Sequence, residues 1–529
     1  MTLNTAGTVA PSSVSPVDFG NSKNANGTLT NTATVTKSTI GTGAFTTNGA
    51  TLNFVVGTQP WAGNAGGLAN FAGSSSITGG IGSSLVMNGS EKINLSLLGS
   101  LRNGAQLTLV DVGVAGDTHV AGTLNDNSYV IDTVLSRVGG DLVVTAVRNA
   151  NTYITKSGTA GHFSNNAASS LGALAAAGTG YSEDMQTVLN KLDIDQWGYG
   201  NNAANLANQV ELLAPVANAS VTETTFNANT LALDTVEGRL AALRGDVKTE
   251  KPGKYGAWLK GFAGFIRQSA RGIYDGYRSA TSGTAIGADS KITDSLIGGI
   301  SLAYSDSQID QRDFRNGDRT TAKAVQGAVY SSLDVTDNLY LEGTVAYTHD
   351  QFEGQRKTAI DRRASSDFNG SQLTGRVAAG YHINLDSKQT LTPMLSMQWS
   401  RLNLDSYTET GADALNLKVD AQKLTSNRLG LGVRYNLETR SKGLTFRPEI
   451  SGTWFNDSGD RNKDVVASYV GGGSSFATPV VGLEKNSYNL GAGLSVLTDN
   501  HSGLALYYDY TAASNTKTHG VQLVGRVSF

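Results

Sequence analysis

The side chains that most often carry out chemistry are few and scattered in this sequence. Its six histidines, at positions 119, 162, 349, 382, 501 and 519, show no spacing typical of a metal site. Cysteine is absent, which excludes disulfides, thiolate metal sites and a cysteine nucleophile. No Gly-Xaa-Ser-Xaa-Gly turn, phosphate-binding loop or paired-histidine motif occurs in a credible context. We therefore expect no enzymatic role, no bound metal and no cofactor.

Three aspartates in one predicted long loop could bind a cation. Asp457, Asp460 and Asp464 offer the oxygen donors that Ca²⁺ prefers. Their spacing does not follow an EF-hand loop, and a solvated loop is the favoured interpretation. The net charge of -3 also argues against a nucleic-acid surface.

Other charged residues are better suited to electrostatic contacts than to catalysis. Glu223, Asp234 and Arg239 lie in a polar segment, about residues 218–246, that is predicted to be a helix. A helix that is polar nearly all round is solvated, unstable or enclosed in a water-lined pore. At 1.5 Å per residue, the roughly 26 residues from 218 to 243 extend ~39 Å, which exceeds a membrane core of ~30 Å. Candidate pore-wall partners are Lys260, Arg376, Arg428, Arg434 and Glu438, with simple hydration as the alternative.

These wall residues belong to a regular series of strands that begins after Pro252. Apolar residues alternate with polar or glycine residues, most clearly where Leu429, Leu431 and Val433 alternate with charged and glycine positions. The period predicts twelve strands, at about 254–268, 276–289, 293–308, 320–334, 338–354, 365–385, 389–406, 415–438, 443–457, 476–498, 502–512 and 516–529.

The connections between these strands alternate in length. Short turns such as Asp289–Lys291 alternate with longer links at Asp310–Arg319, Gln355–Arg363, Thr408–Leu415 and Ser458–Ser475. Such alternation places short turns at one rim and long loops at the other, as in outer-membrane barrels. Nine aromatic residues near strand ends are expected to form interfacial girdles: Tyr255, Trp258, Tyr330, Tyr340, Tyr347, Tyr381, Trp399, Trp454 and Tyr469. A soluble barrel or sandwich is the alternative.

The first part of the chain has a different character. Residues 1–160 contain short alternating apolar segments, such as 50–56 and 141–147, separated by turn signals such as Asn88-Gly89. Short strands with close turns predict a β-solenoid, with a β-sandwich as the alternative. Residues 161–253 change to a helical period and form a predicted linker. The expected fold is thus all-β with a helical linker: a solenoid, a pore-spanning helix and a twelve-stranded antiparallel transmembrane barrel at 254–529.

Taken together, these segments resemble the classical autotransporter family of type V secretion. The resemblance is carried by Asp126–Ala146, similar to the closing rungs of a passenger, by Gly238–Arg244 at the end of a linker helix, and by Trp258–Gly264 with Gly276–Asp289, similar to an opening barrel hairpin. The barrel is most similar to alphaproteobacterial surface proteins, including rickettsial antigens. The terminal Arg526–Phe529 is similar to the signal read by the barrel-assembly machinery.

The resemblance implies a chain that inserts into the outer membrane and exports and anchors its own N-terminal passenger at the cell surface. Its implied partners are outer-membrane lipid, the barrel-assembly machinery, periplasmic chaperones and a host cell or surface array. The implied assembly signal is Phe529, Val527, Leu523 and Val521, whose alternating apolar positions predict a lipid-facing strand. We expect the chain to be the C-terminal part of a longer protein.

Two rival functions stay open, and one departure from the family bears on them. The barrel could anchor a surface-layer or adhesive protein, or it could be a porin-type solute channel. Family members that cut themselves inside the barrel have paired asparagines just before the arginine-containing end of the linker. Here Asp234–Glu237 occupies that position, and the pair Asn201-Asn202 lies far upstream. Release by the asparagine route is therefore not expected.

Overall fold

The computed structural model describes residues 2–4, 22–23, 28–30, 37–40, 44–49, 51–57, 74, 76–114, 118–243, 255–441, 443–460, 463–482, 484–498 and 503–526. Within these ranges, strands occupy both ends of the chain and α-helices lie between them. No helix in these ranges is both long enough and apolar enough to cross a membrane. Val527 and Phe529, two residues of the predicted assembly signal, lie outside the described residues.

The N-terminal strands are short and pair mainly in parallel. Each of three strands pairs in parallel with a strand of the next coil: Ala44–Asn48 with Ser84–Val86, Thr51–Val56 with Lys92–Leu97, and Lys37–Ile40 with Ser76–Gly79. Parallel stacking of successive coils is the geometry of a solenoid, whereas a β-sandwich is built from antiparallel sheets. The predicted solenoid is therefore confirmed. Its strands are β1 Thr2–Asn4, β2 Ser22–Lys23, β3 Thr28–Thr30, β4 Lys37–Ile40, β5 Ala44–Asn48, β6 Thr51–Val56, β7 Ser76–Gly79, β8 Ser84–Val86, β9 Lys92–Leu97, β10 Gln106–Asp111, β11 Thr123–Asp126, β12 Asp132–Val138 and β13 Asp141–Val147.

Side-chain stacking holds these coils together. Leu52 and Ile93 occupy paired positions on adjacent coils and are buried in one apolar core. A ladder of asparagines crosses three coils, since Asn94 donates to Asn53 at 2.8 Å and Asn125 donates to Asn94 at 2.9 Å. The antiparallel hairpin of β12 and β13 then ends the parallel stack.

Helices follow the solenoid, and a buried ion pair joins the two parts. Arg148, next to the end of β13, bonds Asp193 at 2.6 Å, and both side chains are fully buried. Tyr153 donates to the same carboxylate at 2.7 Å, and Ser100 also bonds it. The helices are α1 Thr152–Ser157, α2 Asn165–Ala177, α3 Glu183–Asp193, α4 Ala203–Leu213 and α5 Ser220–Leu243, with a 3-10 turn at Asp195–Trp197.

The C-terminal strands form one closed ring. Twelve long antiparallel strands pair in chain order, and β14 pairs with β31 to complete the circle. The ring contains β14 Tyr255–Gln268, β15 Tyr277–Lys291, β16 Leu296–Gln311, β17 Arg319–Asp334, β18 Leu339–Thr358, β19 Arg362–Tyr381, β21 Gln389–Leu404, β24 Gln422–Leu437, β26 Leu444–Asp457, β29 Asn486–Thr498, β30 Gly503–Ala512 and β31 Thr516–Arg526. Two short strands, β20 Ile383–Asn384 and β25 Thr439–Ser441, extend its hairpins. The twelve-stranded barrel is confirmed.

The outer face of the ring is apolar, as predicted. Leu431, Leu490 and Leu504 are 48%, 65% and 56% exposed, and they lie on strands whose alternate residues face inward. A soluble protein would bury such side chains, whereas a transmembrane barrel places them in lipid. The predicted girdle is only partly correct, because Trp258, Tyr330, Tyr340 and Tyr469 are buried.

The long-loop rim differs from the prediction at three connections. The barrel strands predicted to begin at about 415 and 476 begin at Gln422 and Asn486, and one predicted loop is largely a hairpin of two strands. Gln355–Arg363, predicted to be a loop, is mostly strand, because β18 and β19 continue to a tight turn at residues 359–361. Two neighbouring loops fold into a small antiparallel sheet of β22 Tyr407–Thr408, β23 Leu417–Val419, β27 Val465–Tyr469 and β28 Phe476–Thr478, and 3-10 turns lie at Asp313–Arg315 and Asp413–Leu415.

Helices α1 to α4 dock on this rim and form what we call the helical cap. Their apolar residues share a core with the small sheet, including Leu171, Leu189, Leu415 and Tyr469. Arginines of the barrel also donate hydrogen bonds to the backbone carbonyls at the C-terminal end of α4. Arg315 donates to the backbone oxygens of residues 211 and 214 at 2.7 and 2.9 Å, and Arg356 donates to that of residue 212 at 3.1 Å. Cations suit this end of a helix, where carbonyls lack partners within the helix.

A bidentate ion pair supports the same docking. Arg362 on β19 bonds Asp184 on α3, with Nη2 at 2.7 Å from Oδ1. The Arg362 guanidinium lowers the pKa of Asp184 from its ordinary value. The cap is thus tied to the barrel by apolar packing, by helix capping and by charge.

The buried Arg148–Asp193 pair generates a stability prediction. Replacing Arg148 by Met leaves the Asp193 carboxylate buried without its cation, which costs about 3–5 kcal/mol for a pair of this kind. We expect residues 76–213 to be cleaved by protease at a clearly lower urea concentration in the detergent-refolded protein. Lys92→Met, at an exposed solenoid position, is the matched control, with a change within about 0.5 kcal/mol. If both variants were cleaved at the same urea concentration, the Arg148–Asp193 pair would not stabilise this part of the chain.

Candidate functional site: a helix in the barrel lumen

Helix α5 runs through the barrel and is buried on nearly all sides. Polar residues that a free helix would expose are enclosed, among them Thr224, Asn229 and Thr235 at 0%, 4% and 0% exposure. Its packing partners include β14 to β18 on one side of the ring. Of the three alternatives for a helix polar all round, the structure therefore selects the enclosed one. The observed bounds, Ser220–Leu243, fall inside the predicted range.

The N-terminal end of α5 lies at the long-loop rim. Glu223 accepts a hydrogen bond from Tyr277, the first residue of β15. Asn218 donates to Gln311 at 2.7 Å, and Gln311 donates to Ser220 at 2.9 Å. Both wall residues lie at strand ends beside long connections, so this end of the helix meets the helical cap.

A single asparagine organises the middle of the lumen. Asn229 accepts from Gln326 at 2.6 Å and from Thr348 at 3.1 Å, and it donates to Thr374 at 3.0 Å. These partners belong to β17, β18 and β19, so one side chain links the helix to three neighbouring strands. This network was not predicted from the sequence, because amides and hydroxyls are common on any wet lumen face.

Acidic residues of α5 pair with wall arginines nearer the opposite rim. Arg376 lies 2.7 Å from Asp234 and 3.2 Å from Glu237, and Arg434 lies 3.5 Å from Glu237. Lys260 donates to the Thr235 carbonyl at 2.6 Å. The predicted residues Asp234, Lys260, Arg376 and Arg434 are thus brought together around the helix, and Glu237 is an additional member.

The C-terminal end of α5 is held by a bidentate pair. Arg239 donates from Nε and Nη2 to the two oxygens of Asp289, at 2.8 and 2.9 Å. The side chains are 10% and 3% exposed. A Cβ at Gly256 would overlap this guanidinium, so the glycine allows its close approach. Asp289 was read only as a turn residue in the sequence; the observed strand β15 continues through it and turns its carboxylate inward.

Two predicted wall residues, Arg428 and Glu438, have their nearest partners on the wall instead of on the helix. The Arg428 guanidinium stacks 3.7 Å from the centre of the Phe455 ring, and Glu438 pairs with Arg447 at 3.4 Å. Strand period identifies which face a residue occupies but not which part of the lumen the helix fills. Because α5 lies to one side, a cavity of about 410 Å³ remains along the other, lined in part by Arg434, Glu449 and Asp509.

The remaining candidates lie on the outside of the barrel or at its rim. Val521 and Leu523 belong to β31, where Leu523 is 51% exposed on the lipid-facing side. Their role as an assembly signal stays a prediction. Asp457 and Asp460 accept hydrogen bonds from Ser426 and Thr425, and the described residues contain no group of three side chains suited to a metal.

Comparison with known proteins agrees with this geometry. Residues 257–511 match the family model described as the autotransporter beta-domain. The barrel belongs to the autotransporter family. The matched range covers most of the barrel, whose apolar exterior and polar lumen place it in the outer membrane.

The curated relatives that this chain matches are much longer proteins. Outer membrane protein B of Rickettsia prowazekii is 23% identical over 62% of this chain and 21% of its own length. Outer membrane protein B of Rickettsia conorii is 22% identical over 90% of this chain and 31% of its own. The chain therefore spans between about a fifth and a third of the length of these two relatives. Among solved structures, the translocator domain of autotransporter NalP from Neisseria meningitidis is 14% identical over 57% of this chain and 97% of that one, with a TM-score of 0.44.

The Arg239–Asp289 pair generates a conductance prediction. Replacing Asp289 by Ala leaves the guanidinium poorly compensated in a site that is nearly closed to water, which costs up to about 3–5 kcal/mol. The adjacent end of α5 should then leave the wall, and open events should become more frequent in planar-bilayer recordings. Glu438→Ala removes a carboxylate that pairs with Arg447 of the wall, and its recordings should match wild type. If D289A also matched wild type, the pair would not hold the helix.

Proposed function

We propose that this chain is the translocation and anchoring unit of a longer autotransporter. In this proposal the barrel inserts into the outer membrane, and the polypeptide N-terminal to α5 crosses to the cell surface through its lumen. The chain transports and anchors its own passenger and catalyses no reaction. The passenger includes the solenoid and continues into sequence upstream of it.

The observation that carries this proposal is the path of the chain. Strand β14 begins at the short-turn rim, which faces the periplasm in outer-membrane barrels. The preceding helix α5 traverses the lumen, and its N-terminal end lies beside Gln311 at the opposite rim. The solenoid and the helical cap therefore both precede, in the chain, the helix that passes through the pore. A solute channel needs no such threaded segment.

The solenoid offers a source of driving force for export. Each coil buries its apolar residues against the coil already folded, as Leu95 does against Phe54, so folding can proceed one coil at a time. Coils that have folded at the cell surface would have to unfold before they could return through a lumen that also holds α5. We infer that folding begins at the hairpin of β12 and β13, next to the cap, and continues toward the N-terminus.

Attachment of the passenger, rather than release, fits the site. The pair Asn201-Asn202 lies in the cap, where the Asn202 side chain caps α4 by accepting from Asn205 N at 2.9 Å. In the lumen, Asp234 and Glu237 bind Arg376 instead of presenting paired asparagines. An attached passenger suits a surface-layer or adhesive role. We further propose that the barrel-assembly machinery reads β31 and that periplasmic chaperones hold the chain before insertion.

Labelling of single cysteines on intact cells tests the proposed topology, because the chain has no native cysteine. Ile81 is 95% exposed on the solenoid, and the Asp294 side chain is fully exposed at a short turn. With a membrane-impermeant maleimide, Ile81→Cys should react on intact cells, and Asp294→Cys should react only after the outer membrane is permeabilised. Reaction of Asp294→Cys from outside, or protection of Ile81→Cys, would exclude the proposal.

A further inference from the structure

Three cationic side chains form a row on the outside of the barrel where its first and last strands meet. In strand register, Arg267 of β14 lies directly opposite Arg278 of β15 on one side and Lys517 of β31 on the other. All three side chains are exposed, and they alternate with inward-facing neighbours, so they point away from the lumen. Directly opposed residues have Cβ atoms about 5 Å apart.

These cations have no protein partner among the described residues. The acidic residue next in the row, Asp310, is bonded to Arg319 at 2.6 Å and accepts from Gln308 at 2.8 Å. Like charges directly opposite each other destabilise a sheet. An unpaired row of three at the closing seam therefore lacks a structural reason within the chain, and it fits a ligand that carries negative charge.

The height of the row identifies the ligand. Tyr255 is exposed near the short-turn rim, and Arg267 lies twelve residues further along β14. At ~3.4 Å per residue and a tilt of ~40°, this distance is ~31 Å along the membrane normal, close to the ~30 Å hydrocarbon core. Arg267 thus lies at the outer headgroup level when Tyr255 lies at the inner one.

Residues just below the row support this placement. Phe265, 49% exposed, pairs in register with His519, which bonds Tyr508 at 2.7 Å and contacts the Tyr510 ring. Aromatic rings with polar atoms concentrate where headgroups meet the acyl chains. The cations therefore extend from an aromatic layer into the zone of phosphate esters.

We propose that Arg267, Arg278 and Lys517 bind the phosphate groups of an outer-leaflet lipid at the barrel seam. Arginine presents planar donor pairs that match phosphate oxygens, and lysine adds a point charge. Three cations over about 10 Å suit a headgroup with more than one phosphate, such as a phosphorylated glycolipid. Bound lipid would also neutralise the repulsion between β31, β14 and β15.

The test compares two triple variants of the full chain in zwitterionic nanodiscs, with and without diphosphoryl lipid A. The first variant is Arg267→Gln, Arg278→Gln and Lys517→Gln. The matched control is Lys323→Gln, Arg363→Gln and Arg401→Gln, which removes the same charge from exposed positions elsewhere on the barrel. Binding is measured by native mass spectrometry at several salt concentrations.

Lipid A binding to the seam variant should weaken roughly 100-fold, since each cation beside an anionic lipid surface contributes about a factor of five. The control should retain wild-type binding, and inorganic phosphate should compete poorly. In zwitterionic detergent without lipid A, the seam variant should unfold at or above the wild-type temperature, because cross-strand repulsion is gone. Equal binding by both variants, or full displacement by inorganic phosphate, would overturn the proposal.

Discussion

The need to pair every backbone polar group in a medium without water governs this molecule. Twelve antiparallel strands meet that need only if the last pairs with the first, as β31 does with β14 along Leu259–Gln268. Closure gives the strands two unlike faces, an apolar one for lipid and a polar one for the lumen. The period of two in the sequence follows from this constraint, and so do the charges that line the interior.

A polar lumen accounts in turn for the composition of α5. Polar residues such as Asn229, Asp234 and Arg239 interrupt the apolar face that a helix packed on a soluble core would need. Inside the barrel, each of the three bonds a partner on the wall. The helix is therefore stable because of where it lies rather than because of its own propensity. Its off-centre position leaves a cavity along the other side of the lumen, lined in part by Arg434, Glu449 and Asp509.

Much of this architecture could be predicted from sequence, and the errors have physical causes. Periodicity predicts the number of strands, the solenoid and the helix. Charge predicts contacts between the helix and the wall, such as Asp234 with Arg376. Trp258 and Tyr330 were assigned to the girdle, yet they face inward and cover Gly287 and Gly299, because an aromatic ring and a glycine on adjacent strands fill one space. Such pairing depends on register, which residue period alone does not determine. Asp289 was missed because strand β15 continues through a position that was predicted to begin a turn.

The position of α5 against one wall can be measured by disulfide formation in a chain without native cysteine. Leu233 packs with Ala346 of β18, whereas the inward-facing Ala505 of β30 lies beside the open cavity. On mild oxidation of the outer-membrane protein, the pair Leu233→Cys with Ala346→Cys should form a disulfide, and Leu233→Cys with Ala505→Cys should not. A disulfide in the second pair but not in the first, or in neither, would contradict a helix held in the lumen as described.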